Sequence, residues 1–571
     1  MALAYNEAVE SMRKKEYPML QGKVYLDHGG TTVYSKSLVH RFSEKLTSNL
    51  YGNPHSESDP AALSGQEVDK IREQALLFFN ANPEHFDLIF TANATAAIKL
   101  VGESFRDLAS GSSSGTFSYT YHKDSHTSLV GLRNLADEDH KCLTSDEEVE
   151  EWLSGQEHNP NCNDNVPGLF AYPGQSNMTG RRLPLSWPRR LRFASANQNI
   201  YSLLDAAALA TTSPLDFRDP HSAPDFTAVS FYKIFGFPDL GGLIVRRATG
   251  HVLTWRKYFG GGTVNMLTVL DESRVERKDA TIHDALEDGT LPFHNIIALG
   301  CAIDVHHELY GSMSLVSKHT NFLAQRLYRG ILSLQHGNGR RVCIVHNDNK
   351  DDSAYDDAAL QGATVAFNVV NAYGRYFGHP SVERLANENS IYLRSGGLCN
   401  PGGIAHYLRI EPWQFKRAWS AGYRCGGASP LEVISGKPIG VVRASLGAMS
   451  TISDVDNLID FLRSNFREES QNLGFRQMPE KTTNTSRSPT LRHHILKEPM
   501  GHAPRVEEFM QNRSHVSDGE KMDIPEKVPK SRNRSCWSVA GLLLRKHTKS
   551  ALPPEIDNNK AAAIKSQKWT I

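Results

Sequence analysis

The feature that most constrains this 571-residue chain is a rhythm. Up to about residue 466, short apolar runs of strand length alternate with longer stretches of helical spacing, punctuated by Gly, Pro and Asn. Phe86 to Thr91 (FDLIFT), Gly168 to Tyr172 (GLFAY), Ile200 to Leu204 (IYSLL), Phe226 to Phe231 (FTAVSF) and Leu240 to Arg246 (LGGLIVR) are such runs. Val24 to Asp27 is a further short strand. Between them, Pro60 to Asn80 places Ala61, Leu63, Val68, Ile71, Ala75, Leu76 and Phe79 on one helical face, and ATAAIKLVGESF reads as a helix. Strands without polar alternation are buried on both faces, and βα repetition buries them in a mostly parallel sheet between layers of helices. This predicts an α/β large domain over residues 1–305. After about 305 one long helix-like stretch (HHELYGSMSLVSKHTNFLAQRLYRGILSLQ) leads to separated strands (RRVCIVHN, GATVAFNVVN, IGVVRASLG) and a closing helix (SDVDNLIDFLRSNF). That texture predicts a smaller α+β domain over 306–466.

Beyond Phe466 the pattern dissolves into a Ser-, Asn-, Pro- and Lys/Arg-rich tail with 19 basic against 12 acidic residues. Such a composition is expected to be mostly disordered. Only Cys536 to His547 (CWSVAGLLLRKH) has helix-like apolar content; it reads as a frayed, solvated piece more readily than as a docking helix, because basic tails are usually just solvated. The formal net charge of zero gives no electrostatic bias toward nucleic acid. No apolar run approaches the ~18–20 residues that cross a bilayer, and the first twenty residues lack a secretory h-region. Seven scattered cysteines without a CxxC pair argue against a disulfide framework or zinc site and for a reducing, cytoplasmic setting.

Four segments carry chemistry. Lys233 follows an apolar run in SFYKIFG and is succeeded by glycines; a lysine that forms a Schiff base has to be held rigidly and partly desolvated at the mouth of a sheet, although a surface lysine at a strand end gives the same pattern. Asp205 ends the run LLD and precedes three alanines, where it can face the pyridine nitrogen of pyridoxal phosphate or simply cap a helix. Thr91 to Ala97 is a strand-to-helix turn whose backbone N–H groups, with the Thr95 hydroxyl, suit a phosphate. His126 has the means to stack on a cofactor ring, with His122 a nearby competitor. Cys399, in the glycine-rich loop RSGGLCNPGG, is placed as a thiolate nucleophile in a flexible polar loop near an arginine rather than as a core cysteine. Arg443 ends the run VVR and has the fork to bind a carboxylate or to form a structural ion pair.

Taken in order, YLDHGGTT (25–32), YGNPHS (51–56), QSNMTG (175–180), SFYKIFGFP (230–238), YFGGGTV (258–264), LEDGTLPF (286–293) and RSGGLCNPGG (394–403) resemble the class V aminotransferase group of fold-type-I pyridoxal-phosphate enzymes and its cysteine desulfurases. More closely, residues 15–466 resemble the NifS-like domain of eukaryotic molybdenum cofactor sulfurases. The resemblance implies a seven-stranded large domain and a homodimer with sites at its interface. It implies that Lys233 carries the cofactor as an internal aldimine, that Asp205 pairs with its ring nitrogen, and that His126 stacks on it. Thr95 and Ser230 would bind its phosphate, Asn177 its ring substituents, and Thr290 the phosphate of the neighbouring subunit's cofactor. Arg443, with Arg394, would hold the carboxylate of L-cysteine. Cys399 would take the sulfur as a persulfide, release alanine, and pass the sulfur to molybdenum cofactor or to a molybdoenzyme of the xanthine dehydrogenase or aldehyde oxidase type. Members of the group usually continue into a molybdenum-cofactor-binding MOSC domain, for which the tail after 466 is too short and too polar. Another class V activity, such as a C–S lyase or a transferase, and a non-catalytic partner-binding role are the competing expectations.

Overall fold

The computed structural model describes residues 5–469, except 112–114, 138, 156–165, 195–198, 348–351, 425–432 and 435. Seven strands form the larger sheet: β1 (Phe86–Thr91), β2 (Ser118–His122), β3 (His140–Leu143), β4 (Gly168–Pro173), β5 (Ile200–Asp205), β6 (Phe226–Ser230) and β7 (Gly241–Arg246). Their spatial order is β1-β7-β6-β5-β4-β2-β3. Every pairing is parallel except the two made by β7, so the expected mostly parallel α/β sheet is present with one antiparallel strand.

Successive side chains of a strand point to opposite faces, and here both faces are apolar. Leu88, Phe90, Phe170, Tyr172, Leu204, Val229 and Ile244 face one core, which the helices Asp59–Phe78 and Phe293–Tyr310 close. Their neighbours Ile89, Leu169, Ala171, Leu203, Ala228, Leu243 and Val245 face another, filled by Ala97, Ile98, Val101 and Phe105 of the helix Ala94–Ala109. β2 and β3 were not expected: SYTYH alternates aromatic with polar residues, and its buried Tyr119 and Tyr121 supply the pleated packing that aromatic side chains favour.

The second sheet is antiparallel, with β8 (Cys343–His346), β9 (Thr364–Val369), β10 (Arg394–Gly396) and β11 (Val441–Ser445) in the order β8-β9-β11-β10. Leu323, Leu327 and Ile331 of one helix and Leu458 and Leu462 of the helix Ile452–Phe466 cover it. The single long helix expected here is two. Phe293–Tyr310 ends at Gly311, and Met313–Ser333 starts afresh with the Ser312 hydroxyl accepting from the Leu315 N–H at 3.3 Å.

The N-terminal segment joins the second sheet's surroundings. Val24–Tyr25 pairs in parallel with Ile391–Tyr392, Asp27 bridges Ser445, and Val24 and Leu26 belong to the second core. All of these elements lie in one unit, Met1–Gln477. The expectations for the tail, including Cys536 to His547, fall on residues outside those described beyond 469. Among the described residues no helix is long and apolar enough to cross a membrane.

Candidate active site

The larger sheet brings its chemistry to one edge. β1, β2, β4, β5 and β6 all finish there, at Thr91, His122, Pro173, Asp205 and Ser230, and the antiparallel β7 starts there, at Gly241, opposite both Thr91 and Ser230. In open α/β sheets the carboxyl edge is where ligands bind. A cavity of about 390 Å³ lies on it, lined among others by Thr95, His126, Asn177, Asp205, Ser230 and Lys233. Six of the expected site residues thus meet in one place.

Local sequence explains the convergence. Asn93 caps the helix Ala94–Ala109, its Oδ1 accepting from the Ala96 N–H at 3.0 Å, which aims that helix's first N–H groups at the cavity. The cap presses on β7 so closely that a Cβ on Gly241 would stand 2.4 Å from the carbonyl carbon of Asn93. Thr95 Oγ1 sits 2.8 Å from Ser128 Oγ, and Ser128 Oγ sits 2.9 Å from His126 Nδ1, so the phosphate-type donors and the imidazole are linked. Asp205 is buried at the end of β5, and its Oδ1 accepts from the Ala207 N–H at 3.0 Å. Lys233 lies in a short helix, Phe231–Phe235, rather than on the strand itself, because β6 ends at Ser230. Burial pulls the Lys233 ammonium below the ordinary lysine range; the Asp205 carboxylate opposes that shift, and Arg443 and Arg394 add to it. Burial also lowers the His126 imidazole, with Asp205 opposing and Lys233 reinforcing.

The second sheet supplies the rest. Arg394 on β10 pairs across to Arg443 on β11. Arg443 is buried; its Nη1 donates to the Asn177 carbonyl at 2.8 Å and its Nη2 to Asp27 Oδ1 at 2.5 Å. Burial lowers the Arg443 guanidinium, and Asp27 opposes this. Arg394 is more exposed, with Nη1 at 4.0 Å from Asp27 Oδ2.

Cys399 is half-buried, with a free thiol. It is not among the residues lining the cavity, but its carbonyl accepts from the Thr127 N–H at 2.8 Å, next to His126. The expected flexible loop is pinned. Leu398 and Cys399 both hold φ of +53°, a left-handed conformation that is costly for side chains with a Cβ, and Gly402 packs so tightly that a Cβ there would stand 2.1 Å from the Lys123 carbonyl oxygen. Thr290 alone stays apart. It is exposed, in the turn after the helix Ile282–Leu286, and does not line the cavity of its own chain.

Three residues with roles here were not singled out from the sequence. Asp27 stands in YLDHGGTT and Asn400 in RSGGLCNPGG, so both lay inside recognised motifs, but their partners are distant in sequence. Ser128, two residues after His126, is a third.

The family model for class-V aminotransferases matches residues 24–458. Among curated proteins the chain is similar to molybdenum cofactor sulfurases of Botryotinia fuckeliana (53% identical over 470 residues, 81% of this chain and 56% of that one) and Chaetomium globosum (50% over 466 residues, 82% and 58%). It therefore spans little more than half the length of the curated relatives it matches. Among solved structures it is similar to a cysteine desulfurase from Thermococcus onnurineus (TM-score 0.59, 18% identical, 80% of this chain and 97% of that one). It is also similar to one from Escherichia coli (TM-score 0.57, 19% identical, 80% and 98%). A cystine C–S lyase in complex with cysteine persulfide shares the fold too (TM-score 0.54, 17% identical, 79% and 100%).

Proposed function

We propose that this chain, which belongs to the class-V aminotransferase family, is a pyridoxal-phosphate-dependent cysteine desulfurase of the molybdenum cofactor sulfurase type, acting as a homodimer in a reducing, cytoplasmic compartment. The cofactor fits the residues present. The cavity offers a partly desolvated amine at Lys233, a buried carboxylate at Asp205, an imidazole at His126, and a helix N-terminus flanked by the Thr95 and Ser230 hydroxyls. This set matches an aldehyde, a ring nitrogen, an aromatic face and a phosphate in turn. Bound pyridoxal phosphate supplies the electron sink that lets the Cα–H bond of an amino acid ionise.

The chain's own residues do the rest. Lys233 holds the cofactor and carries the Cα proton. Asp205 keeps the ring nitrogen protonated, Thr95 and Ser230 hold the phosphate, and His126 and Asn177 fix the ring's tilt and substituents. Arg443 and Arg394 bind the carboxylate of L-cysteine. The Cys399 thiolate attacks the substrate sulfur: an S–S bond forms, the Cβ–S bond breaks, and its electron pair ends, with a proton, on Cβ. The balance is L-cysteine plus the Cys399 thiol giving L-alanine plus a Cys399 persulfide. Thr290 is assigned to the cofactor phosphate of the partner subunit, which accounts for its exposure here. Residues 1–305 serve as the cofactor lobe and 306–466 as the lobe that presents Cys399. The sulfur goes on to molybdenum cofactor or to a molybdoenzyme.

The observation that carries this reading is the seat of the Cys399 loop, hydrogen-bonded to the segment that holds His126 at the rim of the Lys233 cavity. One observation favours a C–S lyase instead: Cys399 does not line the cavity. Purified protein loaded with pyridoxal phosphate and given L-cysteine separates the two. Equal amounts of L-alanine and Cys399 persulfide are expected, with no persulfide in Cys399→Ala; undiminished sulfide release by Cys399→Ala would establish the lyase. Sulfuration of an oxo-form xanthine dehydrogenase by the persulfide form tests the acceptor.

A further inference from the structure

Asn400 is fully buried and sits between the cysteine and the helix Pro401–Tyr407, which it caps. Its Oδ1 accepts from the Gly403 N–H at 2.8 Å, which fixes the orientation of the amide. Its Nδ2 then faces two acceptors, the Asp124 carbonyl at 3.1 Å and Asn177 Oδ1 at 3.0 Å. Asn177 continues the chain of bonds. Its Nδ2 donates to the Leu398 carbonyl at 2.6 Å, and its own carbonyl accepts from Arg443 Nη1 at 2.8 Å. Leu398 and Cys399 are the two residues held at positive φ.

A helix cap explains only the Gly403 bond. It does not explain why a cap residue spends both amide protons outside its helix, nor why a second amide, from a residue that lines the cavity, meets it there. We infer that Asn400 is a positioning residue, which with Asn177 forms a double-amide latch tying the Cys399 backbone to the segment before His126 on one side and to Arg443 on the other. The inference rests on the proposed function for its catalytic meaning, but the latch itself is a statement about Cys399 geometry.

The physical argument is one of placement. A strained left-handed pair returns to ordinary backbone angles unless its surroundings hold it. Here the Leu398 carbonyl is held by Asn177, the Cys399 carbonyl by Thr127, and the residue after Cys399 by Asp124. Because Arg443 shares the Asn177 residue, occupation of the carboxylate site and the position of the sulfur nucleophile are mechanically joined. Sulfur attack needs near-contact alignment, and a displacement of about 1 Å is enough to cost roughly a hundredfold in rate.

Asn400→Asp separates the latch from the cap. An aspartate is as good an N-cap and still accepts from Gly403 N–H, but it has no protons for Asp124 or Asn177. Asn400→Ser is the second variant, keeping a capping oxygen on a shorter side chain. Both are expected to keep the cofactor absorbance and the absorbance change on adding L-cysteine, while the melting temperature falls, more in Asn400→Asp, because a buried carboxylate then faces the Asp124 carbonyl and Asn177 Oδ1. The persulfide rate should fall by roughly a hundredfold with little change in KM. Independently of turnover, alkylation of Cys399 by iodoacetamide in cofactor-free protein, followed by peptide mass spectrometry, should be faster in both variants. Wild-type persulfide rates, or unchanged alkylation, in the two variants would overturn the latch. If wild-type protein makes no persulfide at all, the proposed function fails while the alkylation comparison still decides the latch.

Discussion

Asp27→Ala is the perturbation that most directly tests how the proposed carboxylate site at Arg443 is built. Arg443 keeps only 3% of its side chain exposed and Asp27 21%. Among the described residues, Asp27 is the charged acceptor of that guanidinium and the Asn177 carbonyl a neutral one, while Nε has no partner. Removing one member of a buried ion pair costs about 3–5 kcal/mol because the other charge is left desolvated. Asp27 is partly solvated, so water reaches the vacated space and the lower end, about 3 kcal/mol, is the appropriate figure. Unfolding entropy is about 2.1 cal/mol/K per residue. Over the unit Met1–Gln477 this is about 1 kcal/mol/K, so the melting temperature should fall by roughly 3 °C. The decisive arm is ligand rescue. L-alanine, the proposed product, carries a carboxylate and no thiol; if Arg443 is its receptor, that carboxylate restores the missing counter-charge in the variant. Calorimetric melting of cofactor-loaded protein should therefore show a larger L-alanine shift in Asp27→Ala than in the wild type. Equal shifts in both proteins, or a variant as stable as the wild type, would refute this account of the Arg443 site.

Two pH dependences follow from the same burial. Lys233 is held below the ordinary lysine range, so a larger fraction is neutral amine near neutrality; uptake of pyridoxal phosphate by cofactor-free protein, followed by absorbance, should have its acid limb below the ~10.4 of a free lysine, and a limb at that value would exclude the desolvated site. Burial lowers His306 and His379 to about 4 and His28 to about 3. For a base whose folded pKa is depressed, the unfolded chain takes up its proton first, so stability is complete above the unfolded value of ~6.5 and is lost as pH falls from there toward 4. Urea midpoints should decline across that window and decline less in His306→Phe, and a flat profile from 6.5 to 4 would count against neutral burial.

Much of this was legible in the sequence, for identifiable reasons. The larger sheet announced itself because its strands are apolar on both faces, and Asp205, Ser230 and Lys233 stand at or just past strand ends, where chain order alone puts them on one edge. β2 escaped because SYTYH presents polar atoms in sequence and hides them only through packing, the Tyr119 hydroxyl donating to the Leu129 carbonyl at 2.7 Å. The split at Gly311 was invisible to periodicity, which continues across it; the Ser312 cap was the available signal. Least legible were the long-range polar partners. Asp27 and Arg443 are 416 residues apart, and Asn177 and Asn400 are 223 apart. Nothing local distinguishes such residues from turn formers, which is why motif membership identified the segments but not the bonds between them. The close packing of the cysteine loop is hidden for the same reason: glycines suggest freedom, whereas the bare Cα of Gly402 lets the Lys123 carbonyl approach.

The arrangement also divides the proposed reaction between two parts of the fold. Cα chemistry belongs to the cavity, whose lining comes from the edge of the larger sheet, whereas the sulfur nucleophile lies outside that lining on a loop seated from the second sheet. A nucleophile inside the cavity would be confined with the cofactor after accepting sulfur. One at the rim can take the sulfur from a substrate whose carboxylate is held at Arg443 and still keep a half-buried face toward solvent. The cost of that placement is that no cavity wall positions the thiol. Its alignment has to come from the backbone, through two consecutive left-handed residues and the bonds from Thr127, Asn177 and Asn400 that hold them. On the proposed function, then, the strained loop and the paired amides of Asn177 and Asn400 are two aspects of one requirement: a sulfur carrier that is outside the pocket yet fixed relative to it.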